Sequence, residues 1–99
     1  MIMTGKQKRH LRTIAHALKP VVNLGKHGLS PEIKNEIDSQ LLEHELIKLK
    51  VLDNCPISKK ECADLLMNEN SLEVVQIIGK TLTLYCPHPE EPKIELPSA

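Results

Sequence analysis

The sequence predicts one compact α/β domain in which three helices pack against a four-stranded mixed sheet. A length of 99 residues suits a single domain, and an apolar share of 40% is enough for a small core. Apolar positions recur with helical spacing and then with strand spacing along the chain, in the order helix, strand, helix, strand, helix, strand, strand. The strand–helix–strand units favour parallel neighbouring strands with right-handed crossovers, and the last two strands form an antiparallel hairpin.

The first helix is predicted to begin at a capping box formed by Thr4 and Gln7. Pro20 ends this helix, and residues 21–24 follow as a short strand. The helix has one apolar stripe at helical spacing: Leu11, Ile14, Ala15 and Leu18.

The second helix is predicted to begin at Ser30 and Pro31, which are favoured at the N-cap and the first helical position. Its buried stripe is Ile33, Ile37 and Leu41. His44 is next on that stripe, so we expect it to be packed and hydrogen-bonded. Residues 46–52 then alternate as a strand whose core side is Ile47, Leu49 and Val51 and whose water side is Lys48 and Lys50.

The last third of the chain predicts a helix and a hairpin. A second capping box, from Ser58 to Glu61, begins a short helix, and the apolar residues 72–78 predict a central strand. Gly79 and Lys80 form a two-residue turn into residues 81–86. The outward residues Lys48, Lys50, Thr83 and Tyr85 indicate that part of one sheet face is open to water. Residues 1–86 form the domain, and residues 87–99, with four of the seven prolines, predict a flexible tail.

Charge is distributed unevenly, although 13 basic and 13 acidic residues give a net charge of zero. Residues 1–31 contain no acidic residue, and Glu32 is the first. The basic residues of this segment are Lys6, Lys8, Arg9, Arg12, Lys19 and Lys26. This asymmetry is typical of local contact with a polyanion. The alternative is a basic helix face that contacts only water.

The sharpest local feature is the loop Gly25-Lys26-His27-Gly28, between the first strand and the second helix. Its two glycines allow the backbone to approach a phosphate closely, and the N-terminus of the following helix favours an anion. Lys26 adds a charge and His27 a donor. Loops of the GxxG type hold nucleic-acid backbone in KH modules. Glycines that serve only the turn geometry are the alternative, but the acid-free context favours an anion site.

The composition excludes several other classes of protein. One Tyr, without Phe or Trp, excludes RNA-binding modules that stack bases on several sheet aromatics. No apolar run approaches the ~20 residues that span a bilayer, and no apolar segment follows the basic start, so we expect neither membrane segment nor signal peptide. Three cysteines without a CxxC motif favour a reducing cytoplasm.

The motifs of an enzyme are also missing. The Gly25 loop lacks the third glycine of a dinucleotide fingerprint and the pattern of a Walker loop. No His/Cys group has zinc spacing, so we expect no metal and no cofactor. Cys62 lies on an apolar helix face and Cys55 precedes a proline, which argues against thiol catalysis. We therefore expect a protein that is not an enzyme.

Several blocks of the sequence form a recognisable ordered set: residues 4–7 with Leu11 and Arg12, then 17–22, 24–29, 44–50 and 75–85. Together they resemble the CRM domain, in particular its stand-alone bacterial form, the YhbY-like RNA-binding proteins. The resemblance covers roughly residues 4–86.

The resemblance implies a fold similar to the C-terminal domain of translation initiation factor three. It also implies RNA binding through the GxxG loop and nearby basic residues, and an association with precursors of the large ribosomal subunit. The family commonly has an Arg after the Tyr of the last strand, where this sequence has Cys86, which would remove one contact if that Arg touches RNA. The acidic residues 90–95 are expected to repel RNA.

We therefore predict a non-catalytic, monomeric RNA-binding protein of the cytoplasm that contacts ribosomal RNA in pre-large-subunit particles. Its predicted RNA-binding residues are Gly25, Lys26, His27, Gly28, Arg9, Arg12, Lys19, Lys8, Lys48 and Lys50. The alternative is a protein-interaction module of the translation apparatus that uses the acidic face of the second helix or the open sheet.

Overall fold

The structure, a computed structural model, describes residues 3–69 and 72–98. The elements follow the predicted order and confirm the fold class. They are α1 (Gly5–Ala15), β1 (Pro20–Leu24), α2 (Pro31–His44), β2 (Leu46–Val51), α3 (Lys59–Glu69), β3 (Glu73–Ile78) and β4 (Thr81–Tyr85). None of the described helices is long and apolar enough to cross a membrane.

The helices begin where their capping residues predict. The Thr4 hydroxyl accepts the N–H of Gln7 at 3.2 Å, and the Gln7 side chain accepts the N–H of Thr4 at 3.1 Å. Ser30 caps α2 by accepting the N–H of Ile33. The end of α1 differs from the prediction, because the helix ends at Ala15 and a turn rather than helix leads to Pro20.

The four strands form one sheet in the order β1-β2-β4-β3. β1 and β2 are parallel, and β4 is antiparallel to both β2 and β3. β3 is therefore an edge strand, and the prediction that residues 72–78 form a central strand was wrong. The prediction failed because it assumed that every apolar residue of this run is buried. Val75 is buried, but Ile77 and Ile78 at the far end of the strand are 40% and 63% exposed.

Two apolar cores lie on opposite faces of the sheet. The larger core packs α2 and α3 against one face and includes Leu24, Ile37, Leu49, Leu66 and Leu82. The smaller core packs α1 against the other face and includes Leu11, Ala15, Leu46 and Tyr85, joined by Ile94 and Leu96 from the end of the chain. The molecule thus has three layers, with α1 alone on the side that Lys48 and Lys50 face.

The sheet face that was predicted to be open is partly covered. Thr83 and Tyr85 are buried beneath α1, with only 3% and 2% of their surface exposed. Lys48 is half-buried and Lys50 is exposed. α1 crosses the face near Leu46 and Tyr85, which pair with each other, so only the part of the face beyond Thr83 meets water.

The residues after β4 pack against the domain, which differs from the expected flexible tail. The buried carboxylate of Glu45 accepts the N–H groups of His88, Lys93 and Ile94 at 2.9, 2.6 and 3.1 Å. The side-chain amide of Gln7 donates to the carbonyl oxygen of Pro97 at 3.0 Å. The proline-rich composition did not predict this docking, because the anchor lies in α2–β2 and not in the tail.

The histidine at the end of α2 also differs from the prediction. His44 is exposed, and its Nε2 lies 3.9 Å from a carboxylate oxygen of the exposed Glu43. The next residue, Glu45, is buried instead and adopts a φ of 65° at the helix C-cap. His44 is the last residue of α2, and the buried stripe of the helix contains Ile37 and Leu41 but not His44.

Candidate nucleic-acid interface

The GxxG loop joins β1 to α2, and its two glycines have different roles in the fold. Gly28 has a φ of 58°, and its N–H donates to the carbonyl oxygen of Gly25 at 3.0 Å. A Cβ on Gly28 would lie 3.4 Å from Pro56, whereas a Cβ on Gly25 would find nothing nearer than 3.7 Å. The fold therefore explains Gly28 by backbone geometry. It does not explain Gly25, whose missing side chain leaves room beside the loop.

The loop offers charge and backbone donors to the solvent. Lys26 and His27 are exposed, and in the part of the chain that the structure describes their amide groups make no hydrogen bond. The N-terminus of α2 is a weaker anion site than the sequence indicates, because Ser30 already accepts the N–H of Ile33, Pro31 has no N–H, and Glu32 adds a negative charge. At this end of the sheet the loop amides and Lys26 are thus better placed to meet an anion than the N-terminus of α2.

A cleft between α1 and the uncovered part of the sheet gathers a second set of cations. Its volume is about 540 Å³, and it is lined by Arg9, Arg12, Thr13, Ala15, His16, Lys48, Gln76 and Ile78. A smaller cleft of about 250 Å³ shares Lys48, Gln76 and Ile78 and adds Lys19 and Thr81. We call the two connected clefts the α1 groove. Of the residues that line them, none is acidic.

Helix spacing and strand register bring these residues together. Arg9, Arg12 and His16 recur at helical spacing on the side of α1 next to the buried Leu11 and Ala15 stripe. In the sheet, Thr83 of β4 pairs with Lys48 of β2 on one side and with Gln76 of β3 on the other. One row of the sheet therefore presents a lysine, a buried threonine and a glutamine beneath the basic side of α1.

The α1 groove and the GxxG loop lie along the same pair of strands. Lys50 is exposed between them and pairs with Asn23 of β1. The pairing continues to Leu52, whose N–H donates to Leu24 at 2.8 Å, just before Gly25. Leu52 lies four residues after Lys48, which corresponds to about 13 Å along the strand direction. A polyanion that follows the strands could contact both sites.

Two sequence features lie away from this surface. Lys8 is half-buried and lines neither cleft of the α1 groove. Cys86 follows the end of β4 beside the start of β2, and its N–H donates to the carbonyl oxygen of Glu45 at 2.9 Å. This is the end of the sheet opposite the GxxG loop. The anchored acidic tail begins at the same end.

Sequence reasoning missed Gln76 and Ile78 as groove residues. Gln76 is the one polar residue in the apolar run 74–78, which is a signal that the sequence does contain. Gln76 can be recognised as a groove residue only once β3 is known to lie at the sheet edge beside α1, and the sequence did not predict that position.

The thiols of Cys62 and Cys86 do not have the character of nucleophiles. Burial and the neighbouring Cys55 raise the pKa of the Cys62 thiol to about 12, which is the reverse of what thiol catalysis requires. Burial also raises the pKa of the Cys86 thiol, as do Asp38 and Glu45. Among residues 3–69 and 72–98, no group of three or more His, Cys, Asp or Glu side chains could hold a metal ion.

The sequence and the fold are those of a known class of domain. The profile of the CRS1 / YhbY (CRM) domain matches residues 3–85, and the chain belongs to this family. It is similar to the protein named "Probable RNA-binding protein YqeI" of Bacillus subtilis, with 42% identity over 97% of this chain and 100% of that protein. It is equally similar, at 42% identity over 96% of this chain and 95% of the other, to a protein of Haemophilus influenzae named "RNA-binding protein".

A solved structure agrees with this assignment. The solution structure of a hypothetical protein from Staphylococcus aureus, described as a candidate RNA-binding protein, superposes with a TM-score of 0.79. The two chains are 42% identical, and the match covers 97% of this chain and 100% of the other. The two proteins therefore share one fold over almost their whole length.

Proposed function

We propose that this protein binds RNA through the GxxG loop and the α1 groove and catalyses no reaction. The observation that carries the proposal is the grouping of Arg9, Arg12, Lys19, Lys48 and Lys50 on one side of the sheet, with no acidic side chain lining the groove. Such a surface suits a polyanion, and the names of the relatives support RNA as that polyanion.

Binding begins with the phosphate backbone. The amides of Lys26 and His27 donate to phosphate oxygens, and Lys26 adds its charge. The absent side chain of Gly25 allows the RNA backbone to approach the loop. Lys50 and the cations of the α1 groove neutralise phosphates further along the same strands.

We further propose that the RNA is ribosomal RNA in precursors of the large subunit and that the protein acts there as a monomer in the cytoplasm. The family resemblance supports the target. Cys55, Cys62 and Cys86 form no disulfide, which suits a reducing compartment.

The test of the site is a charge reversal in the loop. Lys26→Glu with His27→Glu should weaken RNA binding at least tenfold and lower the salt slope of log K by about 0.7–0.9 for each phosphate that the variant no longer neutralises. Lys93→Glu is the matched control, because it makes the same lysine change on an exposed residue of the tail. An unchanged affinity in a folded double variant, measured by filter binding, would contradict the proposed site.

The test of the target is sedimentation of a native lysate at low magnesium, with and without RNase. The protein should co-migrate with large-subunit precursors and leave them after RNase treatment. Its position at the top of the gradient in both samples would rule out stable association with these particles.

The alternative function, a protein-interaction module, is supported by a different surface. Leu42 on α2 is 55% exposed and adjoins the acidic Glu43. A protein partner that remains bound after nuclease treatment, and that no longer binds the Leu42→Ser variant, would favour this function.

A further inference from the structure

We propose that the α1 groove holds one unpaired purine base of the RNA, with Gln76 at its polar edge and Ile78 against its face. The inference rests on the proposed function, since it assumes that the ligand is RNA. It adds a site that recognises a base to a surface so far described only by its contacts with phosphates.

The polar groups of the groove lack partners within the chain. Across residues 3–69 and 72–98, the side chains of Arg9, Arg12, Lys48 and Gln76 make no hydrogen bond and no ion pair. Arg12, Lys48 and Gln76 are nevertheless half-buried. Because no group of the described chain pairs with these side chains, their donors and acceptors are available for a ligand.

The composition of the groove does not match a site for phosphate alone. A phosphate needs cations and N–H donors, which the NH₂ group of Gln76 can also supply, but an amide oxygen or an isoleucine adds nothing to its binding. Ile78 is 63% exposed beside Gln76, and Ala15 contributes further apolar surface. A nucleobase requires this combination, because its faces are apolar and its edges carry donors and acceptors.

The base must be held without a sheet aromatic. The chain contains no Phe and no Trp, and its single Tyr, Tyr85, is only 2% exposed beneath α1. The planar guanidinium groups of Arg9 and Arg12 can stack on a base instead, and Ile78 can cover the other face. A volume of about 540 Å³ lies within the range of small-ligand sites.

The chemistry of the groove favours an unpaired purine. In an A-form duplex the major groove is too deep and narrow for side chains to read, and base-specific contacts with RNA are made mostly to unpaired bases, so we place the base outside the helix. An amide such as that of Gln76 pairs bidentately with adenine, and an arginine does so with guanine.

The test compares two RNA hairpins that are identical except that one carries a single bulged adenosine in its stem. The unmodified protein should bind the bulged hairpin about tenfold more tightly, which corresponds to about 1.4 kcal/mol and is typical of one good bidentate contact. Gln76→Ala and Ile78→Ala should each bring the ratio of the two affinities closer to one. Ile77→Ala is the matched control and should keep it, because Ile77 lies on the opposite face of β3, against α3.

The outcomes separate the two proposals. Equal affinity for both hairpins, or a preference that survives Gln76→Ala and Ile78→Ala, would overturn the base site while RNA binding stands. Failure to bind either hairpin at low salt would overturn the proposed function itself. A second measurement locates the ligand: adenosine monophosphate should shift the NMR signals of the Gln76 side-chain amide and the Ile78 methyl groups, whereas ribose 5-phosphate should not. Equal shifts with both compounds would show a phosphate site alone and overturn the base site.

Discussion

The buried carboxylate of Glu45 binds the end of the chain to the domain. The substitution Glu45→Gln tests how much these contacts add to the free energy of unfolding. One carboxylate oxygen accepts the N–H groups of Lys93 and Ile94, and the other accepts that of His88. A glutamine can keep the first pair through its carbonyl oxygen, but its NH₂ group then faces the N–H of His88. The substitution therefore removes one charged hydrogen bond and weakens two.

The magnitude follows from these contacts. A hydrogen bond to a charged group contributes about 1.5–3 kcal/mol, so we expect Glu45→Gln to lower the free energy of unfolding by about 2–4 kcal/mol at pH 7. For a domain of this size, each kcal/mol lowers Tm by about 4–8 °C. Far-UV circular dichroism during urea and thermal unfolding measures both quantities. Glu43→Gln is the control, because the Glu43 side chain is 71% exposed and its substitution should change stability by less than about 0.5 kcal/mol.

The pH dependence gives an independent check. Burial alone would raise the pKa of the Glu45 carboxyl, but the backbone N–H groups of His88, Lys93 and Ile94, with the charge of His88, hold it below its ordinary value of 4.5. The stabilisation is therefore complete above pH 4.5 and disappears as the pH falls through the lower pKa of the folded state. The difference between the unmodified protein and Glu45→Gln should narrow in that acidic range. A difference under about 0.5 kcal/mol at pH 7, or one unchanged down to the acid transition, would refute the reasoning.

Three further predictions concern the loop, the tail and a thiol. Gly28→Ala should lower the free energy of unfolding by about 1–2 kcal/mol, because the φ of Gly28 is positive and Pro56 lies close to the added Cβ. Gly25→Ala should leave the urea unfolding curve unchanged but weaken RNA binding in a filter assay. Deletion of residues 87–99 should lower Tm by removing the apolar packing against α1; an unchanged Tm would mean that the docking adds no stability. Cys62, fully buried and with its pKa raised to about 12, should stay unmodified by a maleimide at pH 8 and react after unfolding, as peptide mass spectrometry would show.

Local signals in the sequence predicted the elements well. The hydroxyls of Thr4 and Ser30 determine where two helices begin through bonds within one turn of the chain, so their positions could be read directly. The alternation of Ile47 and Lys48 likewise reports which face of β2 is buried.

Long-range arrangement was less accessible to the sequence. β3 is an edge strand because β4 pairs with β2, and nothing in residues 72–78 alone specifies that choice. Gln76 becomes a groove residue only through this pairing. The docking of the tail depends on Glu45, which lies more than 40 residues away from the amides that it holds. The loop residues were found because a short motif, Gly25 to Gly28, carries its own geometry.

The separation of charge along the sheet gives the molecule an electric dipole. Lys26 and Lys50 lie towards one end, and the tail that begins at the other end, held by Glu45, carries Glu90 and Glu91. A chain of zero net charge feels no net pull in a uniform field, but near a polyanion it experiences a torque that turns its basic end forward. Because this alignment acts before contact, within roughly the 8–10 Å Debye length of physiological salt, it raises the fraction of collisions that are productive.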